Sequence, residues 1–506
     1  MSEHKPTSNN TGNINGGKDT KSETDGINYD VQFLEALRED ANPKISEALS
    51  HKELLQKLLG EIAPIDFMEL AGLSDTGEDK LKGKHFIVCC VENVLQTARQ
   101  KQWGICRHHD FIYVYNGAYW QVIDTPQFQM FLGEAAEKMG INKFDARYYQ
   151  FREQLYKQFL AMAHLTKPEP PEDVVYINLK NGTFEISPQK QDLRTARSSD
   201  FLTYQLPFNY DEKATAPLFQ RYLDRVQPDK AIQHILAEYL GYIFIHTDTL
   251  KLEKTLLLYG DGSNGKSVFF YVMKALLGPQ NICAYSLQSL TDGTGYFRSK
   301  LADKLLNYAT EINGSLETSI FKQLVSGEPV EARLPYGEPF ILNRYAKLIF
   351  NCNKLPKDVE QTHAYFRRFL IVPFNVTIPD IEQDKELHKK IIATELSGVF
   401  NWVLEGLTRL LKQKGFTESP TVTEQIDKYR KQSDSVYMFI EEEGYVQHNM
   451  DMKALKDLFN EYKTYCNDSG YRSCSIRTFA ERLRHIGFVM EKRNYGQGVY
   501  MTKQLA

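Results

Sequence analysis

Thr255-Leu-Leu-Leu-Tyr259, then Gly260-Asp261-Gly262-Ser263-Asn264-Gly265-Lys266-Ser267, then Val268-Phe-Phe-Tyr-Val-Met-Lys-Ala-Leu-Leu277 follow one another without a break. The first is an apolar run of strand length. The last is a helix-length run that stops at Gly278-Pro279, and the octet between them satisfies G-x-x-x-x-G-K-S. Strand, glycine-rich loop and helix thus come in the order a phosphate-binding loop requires. Glycines let backbone N–H groups turn toward phosphate, and the N-terminus of the following helix adds partial positive charge. On this reading residues Gly260 to Val268 cradle a nucleoside triphosphate, Lys266 holds its β- and γ-phosphates, and Ser267 offers its hydroxyl to Mg2+. The octet alone is a common pattern, and its two flanks are what give it weight.

A hydrolytic site needs an acid near the metal, at the tip of a second strand. Lys304-Leu-Leu-Asn-Tyr-Ala-Thr-Glu311 ends such a run in Glu311, suited to binding Mg2+ through water or to orienting the attacking water. A third strand should carry a polar side chain near the γ-phosphate, and Ala346-Lys-Leu-Ile-Phe-Asn-Cys-Asn353 offers Asn351 or Asn353. Arg367-Arg368 opens the apolar run Phe369-Leu-Ile-Val-Pro-Phe374. Guanidinium groups stabilise charge on a transferring phosphoryl group, and an arginine supplied by a neighbouring subunit implies a ring. From Lys254 to about Val376, apolar runs alternate with turns and helices, which predicts an α/β core around a parallel sheet.

The bulk numbers bound what surrounds this core. A chain of 506 residues predicts two to four domains, and 42% hydrophobic with 25% charged residues is a globular composition. A net charge of −4 excludes nucleic-acid binding by overall charge, so any DNA contact must be local. Seven scattered cysteines fit a reducing compartment better than a disulfide framework. Cys106-Arg-His108-His109 lacks a second ligand pair at finger-like spacing, so no zinc site is expected. No apolar run is long enough to span a bilayer and no signal core opens the chain, so the expected location is cytoplasmic, in a bacterium or phage-infected host, with no membrane partner.

Residues 1–28 are polar and predict a disordered tail. The 29–215 region reads as a mostly helical domain with small hairpins. These are Phe111-Ile-Tyr-Val-Tyr115 and Ala118-Tyr-Trp-Gln-Val-Ile123 around Asn116-Gly117, and Val174 to Leu179 with Thr183 to Ile186 around Asn181-Gly182. A helical lead-in spans 216–250, the core 251–380 and a helical connection 381–430. In 431–506, Asp451 to Cys466 and Ser475 to Ile486 have helical spacing, and Phe488 to Met501 reads as a hairpin with a glycine-containing tip.

Several further stretches flank the loop: Tyr176-Ile-Asn-Leu-Lys-Asn-Gly182, Leu202-Thr-Tyr-Gln-Leu206, Tyr239-Leu-Gly-Tyr242, Ser326-Gly-Glu-Pro-Val-Glu-Ala-Arg333 and Asn353-Lys-Leu-Pro356. Together with the loop, Glu311 and Arg367-Arg368, they resemble a superfamily 3 helicase, specifically the helicase part of the phage, plasmid and poxvirus primase-helicase family. The resemblance implies an AAA+-like P-loop NTPase that binds ATP and Mg2+ between the subunits of a homo-hexamer. Such a ring encircles single-stranded or forked DNA and unwinds it in replication of a mobile element, plasmid or phage. By position, Lys266 and Ser267 take phosphate and Mg2+, Glu311 is the acid, Asn353 the sensor, and Arg367 or Arg368 acts in trans. Residues 322–340 correspond to the DNA-gripping hairpin, with Arg333, Tyr336 and Lys347 as candidate contacts.

Two departures stand out. The family often shows a second acid close after the first, whereas Ile312 and Asn313 follow Glu311. An upstream primase is also common, yet residues 1–170 are short for one and lack its paired aspartates, so a separate primase or single-stranded-DNA-binding protein is the expected partner. The C-terminal segment resembles a winged helix, in which Arg477, Arg482, Arg484, Lys492 and Arg493 suit phosphate contacts. Two other functions fit the same residues: an ATP-switched replication initiator and a protein-remodelling ATPase.

Overall fold

The computed structural model describes residues 50–73, 80–101, 103–108, 111–163, 174–187, 190–309, 312, 316–335, 337–356, 359–494 and 496–504. The predicted tail, Glu311 and Tyr336 lie outside them. Among the described residues the chain is a mixed α/β protein of several apolar cores.

The first core is helical. Ser50 caps α1 (His51–Glu61) in a capping box with Glu53, and the helical spacing of Leu54, Leu55 and Leu58 buries all three. After α2 (Phe67–Leu70) comes α3 (Gly83–Gln100), which contains the apolar run 86–91. The Asn116-Gly117 signal forms the predicted hairpin of β2 (Phe111–Tyr115) and β3 (Trp120–Ile123). A third strand, β1 (Gly104–His108), adds to the other edge of β2; its Cys106-Arg-His stretch lacks the apolar alternation that would have disclosed it. Helices α4 (Thr125–Met139), α5 (Lys143–Arg147) and α6 (Tyr149–Met162) close this unit over Phe128, Phe131, Leu155 and Phe159.

The Asn181-Gly182 hairpin also forms, as β4 (Val175–Leu179) and β5 (Gly182–Ile186), with β6 (Gln191–Arg194) beside β5. Placed by sequence within 29–215, these strands share an apolar core with the central sheet instead of with the first helices. Arg194 explains part of their rigidity: its guanidinium meets Glu185 at 2.6 Å and Asp200 at 2.9 Å.

The central unit begins with α7 (Pro217–Val226) and α8 (Lys230–Tyr242). It then runs through β7 (Thr255–Tyr259), α9 (Lys266–Leu277), β8 (Ile282–Cys283), α10 (Leu287–Leu290), α11 (Tyr296–Ser299), β9 (Leu306–Ala309) and α12 (Thr318–Ser326). Next come β10 (Val330–Arg333), β11 (Pro339–Leu342), β12 (Lys347–Cys352), α13 (His363–Phe366) and β13 (Phe369–Pro373). The predicted parallel sheet is present, with five strands in the order β13-β7-β12-β9-β8. Every pairing in it is parallel. Strands β7, β12 and β13 are buried along their length, with only Tyr259 and Lys347 at strand ends half-buried, because helices cover both faces. The connection after it is also part of this core: α14 (Leu387–Thr394) packs by α9, and α15 (Leu396–Gln413) lies along α8.

The C-terminal unit follows α16 (Pro420–Gln432). It comprises α17 (Ser435–Glu442), β14 (Tyr445–Ala454), α18 (Leu455–Ser469), α19 (Ile476–Ile486), β15 (Met490–Arg493) and β16 (Gly496–Lys503). The predicted hairpin at 488–501 and the second helix are present. The first helix begins at Leu455 and not at Asp451, because residues up to Ala454 pair with β16 in a sheet of order β14-β16-β15. No helix among the described residues is long and apolar enough to cross a membrane, and all seven cysteines are free.

Candidate nucleotide and DNA sites

The octet leaves the C-terminal end of β7, whose neighbours are β13 on one side and β12 on the other. In open parallel sheets, ligands sit outside the carboxyl ends of the strands where the order reverses, and this loop occupies such a point. Gly262 and Gly265 take positive φ of 113° and 88°. At Gly265 space also demands glycine, since an added Cβ would stand 2.8 Å from Val226. Among the described residues, the backbone N–H groups of residues 262–267 have no acceptor, as a loop built to receive an anion requires.

Four tertiary hydrogen bonds hold the loop. Gly260 N–H donates to the Cys352 carbonyl at 3.1 Å, and Ile378 N–H donates to the Ser263 carbonyl at 2.8 Å. The Tyr222 hydroxyl donates to the Gly265 carbonyl at 2.8 Å. Asn264, predicted to line the nucleotide, has its side chain buried and donating to the Phe374 carbonyl at 3.0 Å; only its backbone N–H faces the candidate site. Lys266 is buried and donates to the carbonyl of Gly260, closing the loop on itself. Burial lowers the pKa of its ammonium. Ser267 is exposed in the first turn of α9, where its hydroxyl is free to meet a metal held mainly by phosphate and water. Among the described residues no cluster of three His, Cys, Asp or Glu side chains forms a metal site.

Asn351 and Asn353 lie at the same edge of the sheet as the loop. Asn351 is next to last in β12, its Oδ1 accepting from the buried Tyr308 hydroxyl at 3.0 Å, while Asn353 is exposed just beyond the strand. Glu311 lies outside the described residues, two positions past the end of β9. The arginine pair sits elsewhere, at the start of β13. Arg368 is only 7% exposed and donates to the Ala364 carbonyl and to Ser326 Oγ. Arg367 is half exposed and pairs with Glu253. Burial pushes the Glu253 carboxyl up, but Arg367, Arg368 and Lys251 together hold it below the usual carboxylate range. Sequence reasoning missed Glu253, Tyr222 and Tyr308. Nothing in their flanking residues signals a role, since each acts across a long gap in the chain.

Of the DNA candidates, Arg333 ends β10 at the tip of the β10–β11 hairpin, where its Nε donates to the Gly337 carbonyl at 2.8 Å. Leu334 and Ile341 are exposed on the same hairpin. Lys347 is not part of it. Its ammonium lies 4.2 Å from the Tyr242 ring centroid, at the N-terminal edge of the sheet in a cavity of about 140 Å3. In the C-terminal unit Arg477, Arg484 and Lys492 are exposed. Arg482 is held by Asp434 at 3.1 Å and Arg493 by Glu491 at 2.8 Å.

Three family descriptions match successive parts of the chain. "D5 N terminal like" matches residues 92–228, a family of unknown function (DUF5906) matches 258–368, and "Poxvirus D5 protein-like" matches 431–503. No curated protein matches the chain. Among solved structures, the chain is similar to the A form apo structure of the NrS-1 C-terminal region, at 12% identity and a TM-score of 0.44 over 81% of this chain and 97% of that one. A second structure of that region, residues 305–718, gives 13% identity and a TM-score of 0.41, covering 82% and 99%. The two D5-like matches flank the phosphate loop and the motifs around it, and relate the chain to the phage and poxvirus primase-helicase family.

Proposed function

We propose that this chain is an ATP-dependent DNA helicase that works as a hexameric ring in replication of a mobile element, plasmid or phage. One observation carries the reading. Strand β7, which leads into the loop before Lys266, lies between β12, which carries Asn351 with Asn353 just past its end, and β13, which Arg367 and Arg368 immediately precede. This order, with β9 running toward Glu311, supports an AAA+-like core. Bound ATP would lay its phosphates on the free N–H groups of residues 262–267, with Lys266 leaving the Gly260 carbonyl for phosphate oxygen. Mg2+ would neutralise charge on those phosphates, beside the Ser267 hydroxyl and Glu311. Exposed Arg367, on leaving its pair with Glu253, and not buried Arg368, would supply the guanidinium that reaches a neighbour's nucleotide. The exposed β10–β11 hairpin supports a DNA contact through Arg333. The two helices α18 and α19 with the β15–β16 hairpin support a winged helix that meets phosphate through Arg477, Arg484 and Lys492.

The test is ATP hydrolysis with and without DNA, together with strand displacement on a fork. The expected outcome is DNA-stimulated hydrolysis and unwinding, both lost in Lys266→Ala while particle mass is kept. Full hydrolysis in that variant overturns the site. ATP and DNA binding without unwinding would instead identify an ATP-switched initiator.

A further inference from the structure

The corner between α5 and α6 carries an unusual surface. Lys143-Phe-Asp-Ala-Arg-Tyr-Tyr-Gln-Phe-Arg152 contains three cations and four aromatic residues against one acid, in a chain of net charge −4. Phe144 is 83% exposed, Tyr149 66% and Tyr148 50%, with Lys143, Arg147 and Gln150 exposed among them. Single exposed apolar residues are ordinary, but three large rings within six residues are a patch.

The corner is held from below. Asn142 caps α5 by accepting from Phe144 N–H at 2.9 Å, and Ala146 is fully buried. Arg152 Nε donates to the Ala146 carbonyl at 3.4 Å, and Arg147 pairs with Glu137 at 3.0 Å. The Tyr148 and Tyr149 rings meet edge to face at 5.0 Å. The rings are therefore displayed on a fixed backbone, so little ordering entropy is spent when something stacks on them.

Exposed π-faces interleaved with cations match one ligand chemistry closely. Unpaired bases stack on aromatic rings, and the linking phosphates need positive charge. A purely apolar partner would gain nothing from the exposed Lys143. We propose that the α5–α6 corner is a stacking platform for single-stranded DNA, taking a few successive bases on Phe144, Tyr148 and Tyr149, with Lys143 on the backbone. It lies on elements other than the β10–β11 hairpin and the C-terminal unit. The choice of DNA rests on the replicative reading above, whereas the platform itself rests on the exposed rings and cations.

The test uses the full chain and oligodeoxynucleotides carrying 5-iodouracil, cross-linked by light and mapped by peptide mass. The expected result is a cross-link within residues 144–149. Replacing all three rings (Phe144→Ala, Tyr148→Ala, Tyr149→Ala) should weaken binding by about tenfold or more. Tyr148→Phe with Tyr149→Phe should bind normally, and hydrolysis without DNA should be unchanged in every variant. Lys143→Gln should reduce the slope of log affinity against log salt by about one. Cross-links found only elsewhere, with unchanged affinity in the alanine variant, overturn the platform and leave the helicase reading standing. No binding of single strands at all overturns both. A changed particle mass in the alanine variant assigns the rings to a second copy of the chain and overturns the proposal.

Discussion

The Tyr222 hydroxyl on α7 donates to the Gly265 carbonyl across 2.8 Å, so a helix that precedes the sheet sets the last residue of the loop before Lys266. The same ring is one of the neighbours that leaves no room for a side chain at Gly265. Tyr222→Phe removes one buried hydrogen bond and leaves the ring in place. Stability should fall by about 1 kcal/mol. The KM for ATP should rise several-fold with a smaller effect on kcat, because the loop loses its seat but keeps Lys266. Steady-state hydrolysis and a thermal melt check both.

The arginine pair should divide sharply on substitution. Arg368→Ala removes a buried guanidinium and strands its acceptors, which should cost about 2–4 kcal/mol and lower the melting temperature. Arg367→Ala should melt near the wild type yet lose hydrolysis. Mixing Arg367→Ala subunits with Glu311→Gln subunits should restore part of the turnover, since a site shared between subunits can be complemented. No recovery at any ratio refutes a trans arginine.

Lys347 makes a pH-dependent prediction. Burial lowers its pKa to about 8, against an ordinary value of 10.5. Between those values the unfolded chain holds the proton and the folded chain does not, so stability rises with pH across the window. The penalty is fully present below about pH 8. Lys347→Met should therefore raise the melting temperature at pH 7, by on the order of 1–3 kcal/mol of stability. The gain should shrink toward pH 10, and melts of both proteins at the two pH values measure it. An equal gain at both would show that the ammonium is not penalised.

Helices α8 and α15 approach so closely that an added Cβ at Gly406 would stand 2.4 Å from the Ala237 carbonyl carbon. Backbone cannot step aside as a flexible side chain does. Gly406→Ala should force the helices apart and cost about 3 kcal/mol or more, seen as a lower melting temperature or loss of soluble protein. A variant as stable as wild type would show that the crossing is loose.

Much of the local structure was legible in the sequence. Strand β7 with its loop and helix, both Asn-Gly hairpins and the helix α19 are decided by neighbours in the chain: apolar period, turn chemistry and caps. Strands β1, β6 and β14 were not legible, because their mixed polar residues become strand only when another strand supplies hydrogen bonds. The extension of β14 along β16 displaced the start of α18 by four residues for the same reason. Of the site, the octet and the order of Asn351, Asn353 and Arg367-Arg368 could be read directly. The internal roles of Asn264 and Arg368 could not.

What the sequence by itself determined is therefore the chemistry available: glycines that allow a phosphate loop, a lysine and serine at its end, and polar residues at the tips of strands. Only the tertiary structure decided which of these are free to act. Asn264 and the terminal nitrogens of Arg368 are engaged internally, by the Phe374 carbonyl and by the Ala364 carbonyl and Ser326, whereas Arg367 stays half exposed beside Glu253. The physical reason is that a buried polar group must find partners, and those partners, the Ala364 carbonyl apart, lie some 40 to 110 residues away in the chain, at distances only folding closes.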